Sequence, residues 1–221
     1  MTEYELMYFS DPMCSWCYGF GPAIEELQAE YSERMPLQMI LGGLRPDEER
    51  PLPQKMAQEI SHHWEAVHEA SGRPFHFAFF ESHPDFIYNT APACRAVVAA
   101  GRGESPRPMQ FQHELQRLFY GEGQDPTKVE TFEAAAVAAG LDREEFRRLY
   151  DDPETETITR QNFELTRAFG INGYPTLVLR EVEGEEEKHI LVSRGFLPYV
   201  ELKQRVQMIL NREVELVPET E

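Results

Sequence analysis

Short apolar runs mark the two ends of the chain, and a long middle carries helical spacing. Tyr4 to Ser10 is dense in apolar and aromatic side chains and stops at Asp11-Pro12. A run of that length bounded by turn residues predicts a buried strand. From Cys14 to about Glu33, Ile24, Leu27 and Tyr31 recur at spacings of three and four, which predicts a helix with one buried face. Pro22 falls inside it and should kink it, because proline lacks an N–H and crowds the preceding turn. Leu37 to Leu41 is a second apolar run, stopped by Gly42-Gly43. Two strands joined by a helical crossover predict a parallel pair.

Between about Pro51 and Phe169 no strand pattern emerges. Asp125-Pro126 reads as an N-cap followed by proline at the first helical position, with Gly140 at that helix's end. Asp142 caps the next helix, which stops before Pro153, and Thr157 to Phe169 makes a last one before Gly170. Gly101 to Pro108 is a loop. The strand pattern returns at Thr176 to Val182 and at His189 to Arg194. Between them Glu183-Gly184-Glu185-Glu186-Glu187 reads as a solvated hairpin turn, so these strands should be antiparallel. Leu197 to Asn211 is a closing helix and Glu213 to Glu221 an acidic tail. The order β-α-β, helices, β-β-α predicts an α/β fold on a mixed sheet. Residues 1–50 and 170–212 would form one discontinuous domain, with 51–169 a helical insertion and 213–221 the tail.

Composition narrows the function classes. The 221 residues suffice for one sizeable core. With 39 acidic and 21 basic side chains the formal net charge is −18, which argues against a nucleic-acid groove and against docking on anionic lipid. No apolar run approaches the ~20 residues needed to cross a bilayer. The first eleven residues carry Glu3 and Glu5 and lack a basic region followed by an apolar run, so a cytoplasmic protein is expected. Three cysteines, Cys14, Cys17 and Cys94, are too few for a secreted disulfide scaffold. In a reducing compartment they should rest as thiols.

The strongest chemical signal is Cys14-Ser15-Trp16-Cys17, directly after a strand and opening a helix. A thiol at a helix N-terminus faces unpaired N–H groups and the positive end of the macrodipole, and both favour the nucleophilic thiolate. The spacing brings the second sulfur within one turn of the first, so one can attack a disulfide and the other resolve the mixed disulfide. Asp11 opposes this if its carboxylate faces the sulfur. A zinc site is the competing reading of such a pair, but it needs two more ligands. No second C-x-x-C exists, and His62, His63 and His68 do not share one helix face with i, i+4 spacing. No metal is expected.

A second signal is Gly173-Tyr174-Pro175-Thr176, just before a strand. Together the two motifs resemble the thioredoxin-fold superfamily, and within it the DsbA-like branch, over nearly the whole chain to about Leu210. Pro22 is similar to the helix-kinking proline of that superfamily. The opening Phe9-Ser-Asp-Pro-Met-Cys-Ser-Trp-Cys-Tyr-Gly resembles most the cytoplasmic FrnE-like group. The resemblance implies a thioredoxin fold, with a mixed four-stranded core sheet and a large all-helical insertion. It implies a protein disulfide oxidoreductase or isomerase, with Cys14 the exposed nucleophile and Cys17 the buried resolver. Pro175 would be a cis-proline beside the sulfurs, and Tyr174, Trp16 and Thr176 would bind substrate. Tyr174 would offer its backbone N–H and C=O to an extended chain. The dithiol would be the redox group, with no further cofactor and with glutathione or a partner reductase as electron donor. Ser15 and Trp16 depart from DsbA itself, which has proline and histidine there, so its extreme oxidising poise is not carried over.

Rival readings are a glutathione-dependent isomerase or transferase of the 2-hydroxychromene-2-carboxylate isomerase or kappa class, and a non-catalytic thioredoxin-like binding module. Proteins of the first class generally carry serine where this chain has Cys14, and the second does not need the thiols. Cys94, in an Ala- and Val-rich helix, reads as a core residue, with a third redox thiol as the alternative. Phe75, Phe77, Phe79 and Phe80 read mostly as core, and some of them, with Trp16, Tyr18 and Phe20, as candidates for an apolar groove near the thiols. His76 and His83 read as loop or core residues. Neither Gly42-Gly43 nor Gly101 to Gly103 makes a dinucleotide or phosphate-binding loop.

Overall fold

A computed structural model describes residues 2–212. The expected acidic tail, 213–221, lies outside the described residues. β1 (Glu3–Ser10), α1 (Ser15–Tyr31) and β2 (Leu37–Leu41) are followed by the helices α2 (Gln54–Ser71), α3 (Phe79–Ser82), α4 (Ala91–Ala100), α5 (Pro108–Gln116), α6 (Val129–Ala138), α7 (Arg143–Asp151) and α8 (Pro153–Ala168). The chain closes with β3 (Thr176–Glu183), β4 (Glu186–Arg194) and α9 (Tyr199–Leu210). A π-helical turn, Arg117–Gly121, extends α5.

The four strands form one mixed sheet in the order β2-β1-β3-β4. β1 and β2 are parallel, and β3 runs antiparallel to β1 and to β4. β1 alternates faces as a strand must. Leu6 and Tyr8 pack with α1 and α9, while Met7 and Phe9 join Ile40 and Val178 under Leu165 and Phe169. Both faces of β1 are covered, which is why its sequence is apolar almost without interruption. Each fully buried Leu or Phe here contributes roughly 1.5–3 kcal/mol.

The helical block 51–169 is all helix and loop among the described residues. It does not stand apart from the sheet. The C-terminal half of α8 packs on it, and the Asn162 Oδ1 and Thr166 hydroxyl of α8 bond the Leu41 N–H and C=O at 3.0 and 3.2 Å. These bonds serve the backbone of an edge strand. Trp64 is fully buried at the centre of the block, with the rings of Phe75, Phe80 and Tyr120 at 5.0–5.5 Å.

Several boundaries differ from the sequence reading, each for a local reason. Asp125 is not a helix cap. Its carboxylate accepts from the Thr127 N–H and hydroxyl at 2.9 and 2.6 Å, a local turn that delays α6 to Val129. Pro153 does not only end α7. It also opens α8, with the Asp152 carboxylate capping the Glu154 N–H at 3.0 Å, so α8 starts before Thr157. The hairpin turn is shorter than the acidic run, because Glu183 already pairs with Glu186 across Gly184 and Glu185. Glu186, Glu187 and Lys188 are therefore strand residues on an exposed edge, where charge discourages pairing with another chain. α1 runs on through Pro22 to Tyr31.

Candidate active site

β1 ends at Ser10 and the chain turns through Asp11-Pro12-Met13 into α1. The Asp11 backbone carbonyl accepts the Cys14 N–H at 3.0 Å, and its carboxylate accepts the Met13 N–H at 2.8 Å and the Leu44 N–H at 2.7 Å. One buried side chain thus ties the turn that delivers Cys14 to the loop after β2. Cys14 is the N-cap residue of α1, in extended conformation, and Cys17 lies in the first turn. All three cysteines are free thiols, and all are buried.

The Tyr174-Pro175 bond is cis. The loop carrying it reaches the dithiol directly, for the Cys14 thiol donates to the Tyr174 carbonyl at 3.4 Å. The Thr176 hydroxyl donates to the Gly173 carbonyl at 2.8 Å, and the Gly195 N–H to the Pro175 carbonyl at 2.8 Å, which brace the loop from both sides. Beneath it, Gly42 is in contact with the Tyr174 ring. A Cβ built on Gly42 would stand 1.9 Å from that ring, so any larger residue forces the Tyr174 side chain to move.

A groove of about 380 Å³ opens beside Cys14, and Trp16, Tyr174 and Gly173 help to line it. Its far wall comes from the helical block and the loop after β2, through Arg45, Ile60, His63 and Tyr88. The Arg45 guanidinium lies 5.7 Å above the Tyr88 ring, whose hydroxyl in turn donates to the Met13 carbonyl. A larger cavity, about 680 Å³, lies between α2 and residues 77–86 and contains no cysteine. It is the roomier of the two, but it has no group suited to thiol chemistry.

Burial pushes the Cys17 thiol well above the usual range and the neighbouring Cys14 pushes it further, while Asp11 acts both ways, its backbone hydrogen bond lowering it and its charge raising it. Cys94 is raised by burial and by the Asp11 carboxylate, to which its thiol donates at 3.5 Å. Asp11 itself is raised by burial, opposed by its bonds to the Leu44 and Met13 N–H groups. Its carboxylate therefore faces Cys94 and bears on Cys17.

Of the residues singled out from sequence, the structure gathers Cys14, Trp16 and Tyr174 around one groove, with Cys17 and Pro175 buried behind them. Thr176 is 1% exposed and its hydroxyl is engaged by Gly173, so it shapes the loop and does not face the groove. Of the aromatics the sequence offered for an apolar groove near the thiols, Trp16 lines this one and the others do not. Tyr18 stacks on Tyr120 at 5.0 Å inside the helical block, and Phe20 packs against Tyr8. Phe77 and Phe80 line the larger cavity, and Phe79 is fully buried. His63 lines the groove, whereas His62 pairs with Glu65 and His68 with the Arg73 carbonyl. His83 stacks on Phe79 at 4.3 Å. Sequence reasoning missed Arg45, Tyr88 and the role of Gly42, because each becomes visible only when distant segments meet.

The model of the DSBA-like thioredoxin domain matches residues 5–194. The chain belongs to this family. The DSBA-like fold recurs in a candidate protein disulfide isomerase from Nitrosomonas europaea, 33% identical with a TM-score of 0.84, covering 96% of this chain and 100% of that one. The cytosolic disulfide reductase DsbM from Pseudomonas aeruginosa is 19% identical with a TM-score of 0.71, covering 94% and 99%. A 2-hydroxychromene-2-carboxylate isomerase shares the fold at 13% identity and a TM-score of 0.60, covering 95% of this chain and 94% of that one. Among curated proteins, the ClpXP adapter protein SpxH of Halalkalibacterium halodurans is 23% identical over 218 residues, which span 97% of this chain and 70% of that protein. The match to SpxH of Shouchella clausii spans 63% of that protein's length. Among the described residues no helix is long and apolar enough to cross a membrane.

Proposed function

We propose that this DSBA-like protein is a cytoplasmic thiol–disulfide oxidoreductase that exchanges disulfides with protein substrates through Cys14 and Cys17. The observation that carries the reading is the meeting of two first-turn thiols with the Tyr174-Pro175 loop, at 3.4 Å between the Cys14 sulfur and the Tyr174 carbonyl. When the dithiol reduces a substrate, the Cys14 thiolate attacks one sulfur of the substrate disulfide. The other substrate sulfur leaves as a thiolate. Cys17, once deprotonated, attacks the Cys14 sulfur and expels the second substrate thiolate. Two electrons pass from the dithiol to the substrate, and the reverse sequence oxidises it.

The surrounding groups suit each step. Cys14 stands at the N-cap of α1, where the first-turn N–H groups have no helical partner. Loss of the Cys14 proton releases the Tyr174 carbonyl, which then accepts an N–H from an extended substrate backbone. Turnover needs a thiol donor. The groove beside Cys14 is lined by Arg45, His63 and Glu59, and the Arg45 guanidinium suits a carboxylate of a small thiol, glutathione among them. A DsbM structure with GSH, 20% identical to this chain with a TM-score of 0.67, supports the same choice.

Mixed-disulfide trapping tests the reading. Cys17→Ala protein is mixed with a disulfide-bonded protein substrate and analysed by non-reducing electrophoresis and mass spectrometry. The expected product is a covalent adduct at Cys14 that Cys14→Ser abolishes. Absence of any adduct would favour the glutathione-isomerase reading or, given the SpxH relatives, an adapter role, neither of which needs Cys17.

A further inference from the structure

We infer that Tyr8 is a positioning residue for disulfide exchange, its buried phenol O–H serving as the hydrogen-bond donor for the thiolate that forms at Cys17. The inference rests on the reading of Cys14 and Cys17 as a redox pair.

The geometry begins with β1. Tyr8 points from that strand toward α1, is 0% exposed, and has its ring 6.0 Å from the ring of Phe20. Phe20 follows Cys17 by three residues, so the two side chains leave α1 on neighbouring positions of one face. Tyr8 thus lies under the turn that holds Cys17, itself 0% exposed. The phenol oxygen has no partner at full hydrogen-bond geometry among the described residues, although the Cys17 thiol lies close enough to interact with it. A buried hydroxyl without a partner is disfavoured, and phenylalanine would fill the same space without that cost. An unoccupied donor is explained if its acceptor carries charge only during the reaction. The titratable groups facing Cys17 are Cys14 from its own helix, Asp11 from the preceding turn and Tyr8 from β1. The Asp11 carboxyl is committed to the Met13 and Leu44 N–H groups, and Asp11 acts on Cys17 in both directions, its backbone hydrogen bond favouring a thiolate and its charge opposing one. Tyr8 remains protonated, raised by burial and by the Cys17 and Cys14 thiols beside it, and so keeps an O–H to donate.

A thiolate from a reductant attacks the Cys14 sulfur of the oxidised protein, and a new disulfide forms to Cys14. The Cys14–Cys17 bond breaks and its electron pair goes to the Cys17 sulfur. That sulfur becomes a thiolate away from water, and the Tyr8 O–H donates to it until a proton from solvent neutralises it. In the other direction Cys17 passes through the same thiolate before attacking the mixed disulfide. The phenol therefore stabilises the charged species and neither end state, the disulfide or the neutral thiol. Rates should change and the reduction potential should not.

The test is Tyr8→Phe, with three readouts on the full chain. Reduction of the oxidised protein by dithiothreitol should slow roughly three- to tenfold, because a poorer leaving thiol departs more slowly. Cys17 should titrate at higher pH in a Cys14→Ser, Cys94→Ala background, followed by thiolate absorbance. The potential should stay at the wild-type value. Wild-type rates and titration in Tyr8→Phe would overturn the inference, whatever happens to its melting temperature. If Tyr8→Phe does not fold, 3-fluorotyrosine at position 8 keeps the packing and strengthens the donor. It should speed the same reaction, and an unchanged rate would overturn the inference. Failure of the wild-type protein to form a Cys14–Cys17 disulfide would instead remove the redox reading itself, which separates the two failures.

Discussion

Replacing Asp11 with alanine tests how the buried turn holds the dithiol in place. The carboxylate is fully buried and accepts two backbone N–H groups, from Met13 at 2.8 Å and from Leu44 at 2.7 Å. Hydrogen bonds to a charged group contribute about 1.5–3 kcal/mol each, so their gross loss is about 3–6 kcal/mol. Removing a buried charge returns part of that, since burial already disfavours the ionised form. We expect Asp11→Ala to be less stable by about 2–4 kcal/mol in urea unfolding at neutral pH. Disulfide exchange should fall with it, because the same bonds join the Cys14 turn to the groove wall. The pH dependence has a definite sign. The folded value of Asp11 is raised, so its contribution is fully present below the unfolded carboxylate range, about pH 4, and is lost as pH rises through the folded value. The stability gap between the wild type and Asp11→Ala should therefore narrow as pH rises. A gap below about 0.5 kcal/mol at neutral pH, with exchange intact, would refute the reasoning.

Other perturbations probe separate parts of the site. Gly42→Ala forces a Cβ into the Tyr174 ring, and should cost about 1–3 kcal/mol in chemical unfolding while displacing the loop and slowing exchange. Arg45→Ala should raise KM for glutathione several-fold and leave KM for a neutral thiol such as mercaptoethanol unchanged; equal effects on both would remove Arg45 from donor recognition. Because the Cys17 thiol is raised by burial, resolution of a Cys14 mixed disulfide should accelerate about tenfold per pH unit from neutral pH upward in rapid-mixing experiments. Cys94 is held as a neutral thiol by burial and by Asp11, so Cys94→Ala should leave exchange rates and the potential unchanged.

The elements nearest the dithiol were legible because their signals are local. Leu37 to Leu41 is β2 residue for residue, and Asp142 caps α7 by accepting the Glu145 N–H at 2.8 Å. Cys14-Ser15-Trp16-Cys17 stands at the head of α1, where the strand-then-helix pattern located it. Errors arose where one residue type serves two structures. Asp125-Pro126 fits a turn as well as a cap, and Pro153 ends one helix while opening another. The far wall of the groove was invisible for a different reason. Arg45 follows β2, Ile60 and His63 belong to α2, and Tyr88 precedes α4, so nothing in their spacing relates them to Cys14. Gly42 read as a strand terminator, and its actual constraint comes from Tyr174, far along the chain.

The most direct measurement is the reduction potential of the Cys14–Cys17 pair. The purified protein is equilibrated in graded glutathione buffers and its free thiols are counted by mass spectrometry. The expected result is one two-electron transition, tenfold in the equilibrium constant per ~30 mV, that disappears in Cys14→Ser. A midpoint near about −270 mV would mark a reductase, and one near about −180 mV an isomerase or oxidase. Three free thiols at every poise would contradict a dithiol mechanism.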